Sequence, residues 1–212
     1  DKIQELNDLI NVLASAVGSL TNPSKIEATF KSKLHSDISI NTIRQYIAFL
    51  QDAFMIHEAQ RFDVKGRKYI GSPLKYYFED VGLRNARLGF RQHEETHLME
   101  NILYNELRAR GFSVDVGVVP IRKTVSSGER ERIQLEIDFI ATLGSRKYYI
   151  QSAFSLSDAE KIKQEKTPLL NVGDSFKKII IVHDTLNIRR DDDGITTMNI
   201  YDFLLNEHSL DM

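Results

Sequence analysis

The chain has 212 residues, of which 42% are hydrophobic and 27% charged, with a formal net charge of −2. This composition is that of an ordinary globular protein of one large or two small domains, and the near-zero charge excludes a global pull toward nucleic acid, so any such binding must come from a local patch. The lack of cysteine excludes disulfides and thiolate metal sites and fits a reducing cytoplasm; no apolar run approaches the about 20 residues that a membrane helix needs.

The start, Asp1-Lys2-Ile3-Gln4-Glu5, is polar and helical rather than a signal peptide, and its lack of Met points to a piece of a longer protein. Ile3, Leu6, Leu9, Ile10, Leu13 and Val17 form a helical stripe over 3–17. Asn22-Pro23-Ser24 starts a second helix, with Ser24 as N-cap and Glu27 three residues on, running to about Leu34. Ser39 caps a third, with Ile40, Ile43, Ile47 and Leu50 inward. Two β segments, 54–62 and 69–78, flank the polar stretch Asp63–Lys68. Three helices and then a hairpin is the order of a winged helix, expected over residues 1–85.

In a winged helix the third helix enters the major groove. Its outward positions here are Asn41, Arg44, Gln45 and Gln51, and Asn, Arg and Gln read base edges by geometry. The wing carries Arg61, Lys65, Arg67 and Lys68 against one acid, Asp63, a local patch for phosphates. Against this, residues 1–80 hold ten basic and ten acidic side chains. Exposed helix faces are polar for solubility alone, and many winged helices dock proteins instead.

The second half, 86–212, opens with a loop or short helix over 82–90, then a helix from about Glu94 to Arg110 that stops at Gly111. Strands follow over 112–119, 132–143 and 147–154. A helix is expected from Ser157-Asp158 to Leu170, a buried strand over 178–183, a polar turn over 189–194, a strand over 195–200 and a last turn of helix over 202–206. The whole reads as an α/β (α+β) chain, an N-terminal helical unit with a hairpin followed by an α/β sandwich. The two-residue turn Gly144-Ser145 sets the hairpin register: Leu143 opposes Arg146, Asp138 opposes Gln151, and Glu136 opposes Ala153. Alternation places Glu136 and Asp138 on one face, with Lys147, Tyr149, Gln151 and Ala153 across the turn.

This hairpin resembles the metal site of the PD-(D/E)XK nuclease superfamily. The resemblance implies a restriction-endonuclease-like fold in which a helix Glu, a strand Asp and a Glu-x-Lys on the next strand hold a divalent ion. The matching positions are Glu100 in Met99-Glu100-Asn101, Asp138 in Glu136-Ile137-Asp138-Phe139, and Gln151 in Gln151-Ser152-Ala153. Glu100, Asp138 and Gln151 are thus the candidate catalytic set. Glu100 and Asp138 are the candidate ligands for Mg²⁺, which takes oxygen donors. The lysine slot holds Ala153. Lys147 lies four residues away, roughly 13 Å at strand rise, too far to replace it. Lys161 or Lys163 on the next helix remain open substitutes, and Glu106 is a further acid.

Both halves together resemble the C-terminal region of a family of prokaryotic AAA-type P-loop ATPases. The segments that carry this are Ser39-x-x-Thr42-Ile43-x-x-Tyr46-Ile47-x-x-Leu50, Lys75-Tyr76-Tyr77-Phe78-Glu79-Asp80-Val81-Gly82-Leu83-Arg84-Asn85, and Met99-Glu100-Asn101 with Glu106-Leu107-x-x-Arg110-Gly111. The resemblance implies an N-terminal ATPase domain as partner, and no Gly-x-x-x-x-Gly-Lys-Ser/Thr occurs here to bind ATP. Three functions are weighed: a non-catalytic regulatory or DNA-binding module, an active metal-dependent nuclease, and a protein-interaction scaffold. The His93-Glu94-Glu95-Thr96-His97 motif has zinc-protease spacing, but carries a charged third residue and lacks the further ligands of the extended form. Asp191-Asp192-Asp193-Gly194 lacks the spacing of a calcium loop and reads as a solvated turn.

Overall fold

A computed structural model of the protein describes residues 2–92, 94–124, 130–184 and 187–212. It is an α+β structure with seven α-helices and eight strands among the described residues. The chain divides into two compact units, one of residues 1–59 with 71–105, the other of 60–70 with 106–212. Compactness therefore does not follow a single cut near residue 85: the hairpin tip groups with the second unit, and 86–105 with the first.

In the first unit, α1 (Lys2–Ser15) buries Leu9, Ile10, Leu13 and Ala14, the stripe set by the helical repeat. It packs on α2 (Pro23–Thr29), α3 (Ile40–Asp52) and α4 (Val81–Arg87). Asn22, not Ser24, caps α2: its side chain accepts from Lys25 N at 2.7 Å. Pro23 explains the difference, since its fixed φ and missing N–H suit the first helical position, which makes Asn22, two residues before Ser24, the cap. Past Thr29 the helix widens into a π-helical turn, Phe30–Leu34, ended by His35 in the left-handed region. Ser39 caps α3, accepting from Thr42 N at 3.1 Å, and Ile43, Ile47 and Leu50 are buried as their spacing requires.

Strands β1 (Ile56–Asp63) and β2 (Lys68–Phe78) form the hairpin. Helix α5 (Glu95–Ala109) follows α4 and ends before Gly111, whose φ of +85° suits glycine alone at low cost. Then come β3 (Ser113–Thr124), β4 (Arg130–Leu143), β5 (Arg146–Ala153), α6 (Ala159–Leu170), β6 (Lys177–Val182), β7 (Arg189–Arg190), β8 (Ile195–Asn199) and α7 (Ile200–Leu205). The strands run in the order β2-β1-β3-β4-β5-β6-β8-β7. In the second unit, Arg61–Asp63 of β1 pair in parallel with Val116–Val118, β3 to β5 form an antiparallel meander, and β6 and β8 continue in parallel. Two features were not expected: the parallel seat of the hairpin tip beside β3, and the short β7, whose arginines pair with Thr196 and Thr197.

Strand β5 is buried from Tyr148 to Ala153, which makes it a central strand covered on both faces. One face is lined by Ile140, Tyr149, Ala153, Ile180 and Val182 under Leu169 and Val172 at the end of α6. Each such aliphatic side chain contributes about 1.5–3 kcal/mol on full burial. Asp158 starts α6 by accepting from Lys161 N at 2.8 Å, which holds its carboxyl below the usual range.

Candidate functional site

The Gly144-Ser145 turn sets the expected register, with Gly144 at φ +60° and the ladder running from Leu143↔Arg146 to Phe139↔Ile150. At the next step side chains take over. Asp138 N donates to Gln151 Oε1 at 2.9 Å, and Ser152 N donates to Asp138 Oδ2 at 2.8 Å. Asp138 and Gln151 are thus neighbours as the register requires, but they satisfy backbone N–H groups where β4 and β5 separate. Buried N–H groups need such partners, and these side chains supply them.

Gln151 is buried and extends the network onto α6: its Nε2 donates to Glu165 Oε2 at 3.1 Å. Lys161 Nζ lies 2.6 Å from Glu165 Oε1, one helical turn away. Sequence reasoning left Lys161 and Lys163 open. Lys161 enters the network, while Lys163 is exposed. Glu165, 7% exposed, was missed altogether. Its only sequence signal is the Lys161–Glu165 spacing, which any solvated helix face can show.

Glu100 has other work. Within the first unit its Oε1 accepts from Lys75 Nζ at 2.8 Å and from the Tyr77 hydroxyl, and all three residues are buried. A Cβ added at Gly18 would sit 3.3 Å from the Glu100 carboxylate. The adjacent Asn101 spans the edge of β2, accepting from Phe78 N at 2.9 Å and donating to Phe78 O at 2.7 Å. Asp80 caps α4 through Leu83 N at 3.0 Å, and the fully buried Arg84 donates from Nε to Ala14 O at 2.9 Å and from a terminal nitrogen to Gln92 O at 3.0 Å. The Lys75–Asn85 and Met99–Asn101 segments therefore interlock as the frame of this unit. Buried charge survives there because each group is paired.

These donor atoms do not fit a Mg²⁺ ion as arranged. Gln151 Oε1 faces the Asp138 N–H, Asp138 Oδ2 faces the Ser152 N–H, and both Glu165 oxygens face the Gln151 amide or the Lys161 amine. Among the described residues no group of three His, Asp or Glu side chains is placed to hold a metal ion. Ala153, 1% exposed, sits in the apolar cluster, so the lysine slot is closed by packing as well as by identity. Glu106 pairs with Arg110 Nε at 2.7 Å on its own helix, and Lys147 lies 4.9 Å over the Phe176 ring.

The expected wing patch is changed in one member. Lys65, Arg67 and Lys68 are exposed, but Arg61 is buried and donates to Gln134 Oε1 at 3.3 Å. Arg61 lies within the parallel pair with β3, short of the tip, which draws it inward. Asp63 is spent on the turn, accepting from Lys65 N at 3.1 Å and Gly66 N at 2.8 Å. On α3, Asn41, Arg44 and Gln45 are exposed and Gln51 is half-buried. Arg44, Gln51 and Glu58 line a cavity of about 280 Å³ in the first unit. Burial raises the Glu58 carboxyl above its ordinary range, opposed by a hydrogen bond from the Tyr76 hydroxyl at 3.4 Å.

The other sequence motifs resolve as structure. His93 lies outside the described residues. Helix α5 begins at Glu95, and Glu94 lies 3.6 Å from Arg84 and 3.5 Å from His97 Nδ1. Asp191 and Asp193 flank Lys166 Nζ at 2.7 and 2.8 Å, a turn tied to α6. No helix among the described residues is long and apolar enough to cross a membrane.

Residues 1–94 match a domain of unknown function, DUF8612. Over 200 residues the chain is 34% identical to an uncharacterised protein of Haemophilus influenzae, covering 94% of this chain and 46% of that protein. The chain thus spans under half the length of that relative.

Proposed function

We propose that this chain is a non-catalytic, nucleic-acid-binding C-terminal module of a larger AAA-type ATPase, working in the cytoplasm. In this reading the first unit is a winged helix and the second a nuclease-like fold without a working metal site. The missing partner is the protein's own ATPase domain, for which a relative more than twice the length of this chain leaves room.

One observation carries the binding half of the proposal. Asp63, the lone acid of the hairpin tip, holds Lys65 N and Gly66 N through one oxygen, and among the described residues it forms no ion pair with Lys65, Arg67 or Lys68, which are exposed. Such a tip suits phosphate contacts that position a protein on nucleic acid without reading sequence. The non-catalytic half is supported by Ala153 in the apolar cluster and by Glu100 held by Lys75 and Tyr77.

A second reading, a metal-dependent nuclease, has one observation in its favour: Lys161 joins the Asp138–Gln151 pair through Glu165. A plasmid-cleavage assay in Mg²⁺ or Mn²⁺ separates the two. The first reading expects no nicking above background. Nicking that disappears in Asp138→Ala would replace it with the second. DNA retardation at low salt that weakens in Arg67→Glu/Lys68→Glu is expected. Unchanged affinity in that variant would remove the wing from the proposal.

A further inference from the structure

Strands β3 and β4 extend past the core as a two-stranded arm, and its register places Arg122 directly opposite Arg132. Like charges facing each other across strands destabilise a sheet. Both side chains are exposed, and neither makes an ion pair among the described residues. The neighbouring pair, Lys123↔Glu131, has opposite signs, so the doubled arginine is a local departure from ordinary pairing.

The pair does not stand alone. Arg122 and Arg132 line a cavity of about 410 Å³ with Lys65 of the hairpin tip and Asn171 at the end of α6. Arg132 also lines an adjacent cavity of about 560 Å³ with Lys68, Tyr69 and Gln134. Gln134 is held from behind by the buried Arg61, whose Nε has no hydrogen-bond partner among the described residues. Asp63 borders this second cavity, with one oxygen engaged by the turn. All of these residues belong to the second unit.

We infer that Arg122 and Arg132, with Lys65 and Lys68, form a binding site for consecutive phosphodiester groups of a nucleic-acid strand. The inference rests on the nucleic-acid reading above and moves its centre from the hairpin tip to the β3–β4 arm. A phosphate between two guanidinium groups takes paired N–H donors from each, and so converts their repulsion into shared attraction. Tyr69 selects nucleic acid over an acidic peptide. The residue is 58% exposed beside Lys68 and Arg132, its hydroxyl donating to Asp115 Oδ2 at 3.2 Å and its ring edge-on to Phe62 at 5.3 Å between centroids, where a base or sugar can stack.

The test uses the full chain and a short fluorescein-labelled DNA duplex, together with the matching single strand, titrated over a range of salt. Arg122→Gln/Arg132→Gln is expected to weaken binding by roughly tenfold or more at low salt. It should flatten the plot of log affinity against log salt by roughly two units. Without DNA, the same variant is expected to melt higher by roughly 1–3 °C, because the repulsion is gone. A damaged fold would instead melt lower, and Arg122→Lys/Arg132→Lys, which keeps the charge, would then recover much of the salt slope if the site is as described. Unchanged affinity and slope in the glutamine variant would overturn the inference. If Arg67→Glu/Lys68→Glu still lost affinity in that case, the hairpin-tip reading would survive alone. Failure of the wild-type chain to bind either probe at low salt would overturn both. Equal displacement of the probe by polyglutamate would remove the claim to nucleic acid.

Discussion

Glu165 shows how a single side chain can organise a region that sequence reasoning assigned to its neighbours. It accepts from the Gln151 amide, pairs with Lys161 and is almost wholly buried. Removing it in Glu165→Ala leaves the buried Gln151 amide and the Lys161 amine without that partner. A buried group left unsatisfied costs about 1–3 kcal/mol, so the urea unfolding midpoint is expected to fall accordingly, and an unchanged midpoint would mean the network is incidental. Glu58 presents the opposite case. Burial raises its carboxyl in the folded chain, so the folded state favours the proton more than the unfolded state does. Its contribution is therefore most favourable below the ordinary value of 4.5 and is lost as pH rises from there through the raised value of the folded chain. Glu58→Gln is expected to melt higher than wild type at pH 7, with the gap closing below the carboxylate range. A gap that is constant with pH would show that the charge is not the cause.

At the level of elements, local chemistry explains most of what forms. Ser39 supplies a hydroxyl to Thr42 N, and the aliphatic spacing behind it buries Ile43, Ile47 and Leu50. Ser39→Ala is expected to lower stability by about 1 kcal/mol, the usual worth of such a cap, read as a shift in denaturant midpoint with an unchanged slope. The β4–β5 register was legible because a two-residue glycine turn leaves one alignment, and the pairs from Leu143↔Arg146 to Phe139↔Ile150 follow it. The cap of α2 moved from Ser24 to Asn22 because Pro23 belongs inside the helix rather than before it. The strand β7 has two residues, too short for alternation to mark it.

Across the whole molecule, the net charge of −2 conceals an uneven distribution, with Lys65, Lys68, Arg122 and Arg132 gathered along two adjoining cavities of one unit. Each candidate metal ligand is engaged inside its own unit: Glu100 accepts from Lys75 and Tyr77 in the first, and Asp138 accepts from Ser152 N in the second. Titration with Mg²⁺ is expected to leave the thermal midpoint unchanged, whereas an ion bound to the native state would raise it with concentration. A saturating rise that Asp138→Ala abolishes would restore the nuclease reading.

Sequence alone was enough for the order of the helices and of the strands other than β7, the Ser39 cap, the start of α6 at Asp158 and the Gly144-Ser145 register. Each of these follows from residues a few places apart, through backbone geometry and side-chain period. The partner of Glu100, the inward turn of Arg61, the entry of Glu165 and the facing of Arg122 by Arg132 came only from the folded chain. Those depend on contacts between segments distant in sequence, where the choice of partner is made by packing and by the need to satisfy buried polar groups. No local pattern encodes that choice. The same physics explains why an apparent metal hairpin folds into a hydrogen-bonded network instead: once β4 and β5 separate, the nearest side-chain oxygens meet open backbone N–H groups at Asp138 and Ser152.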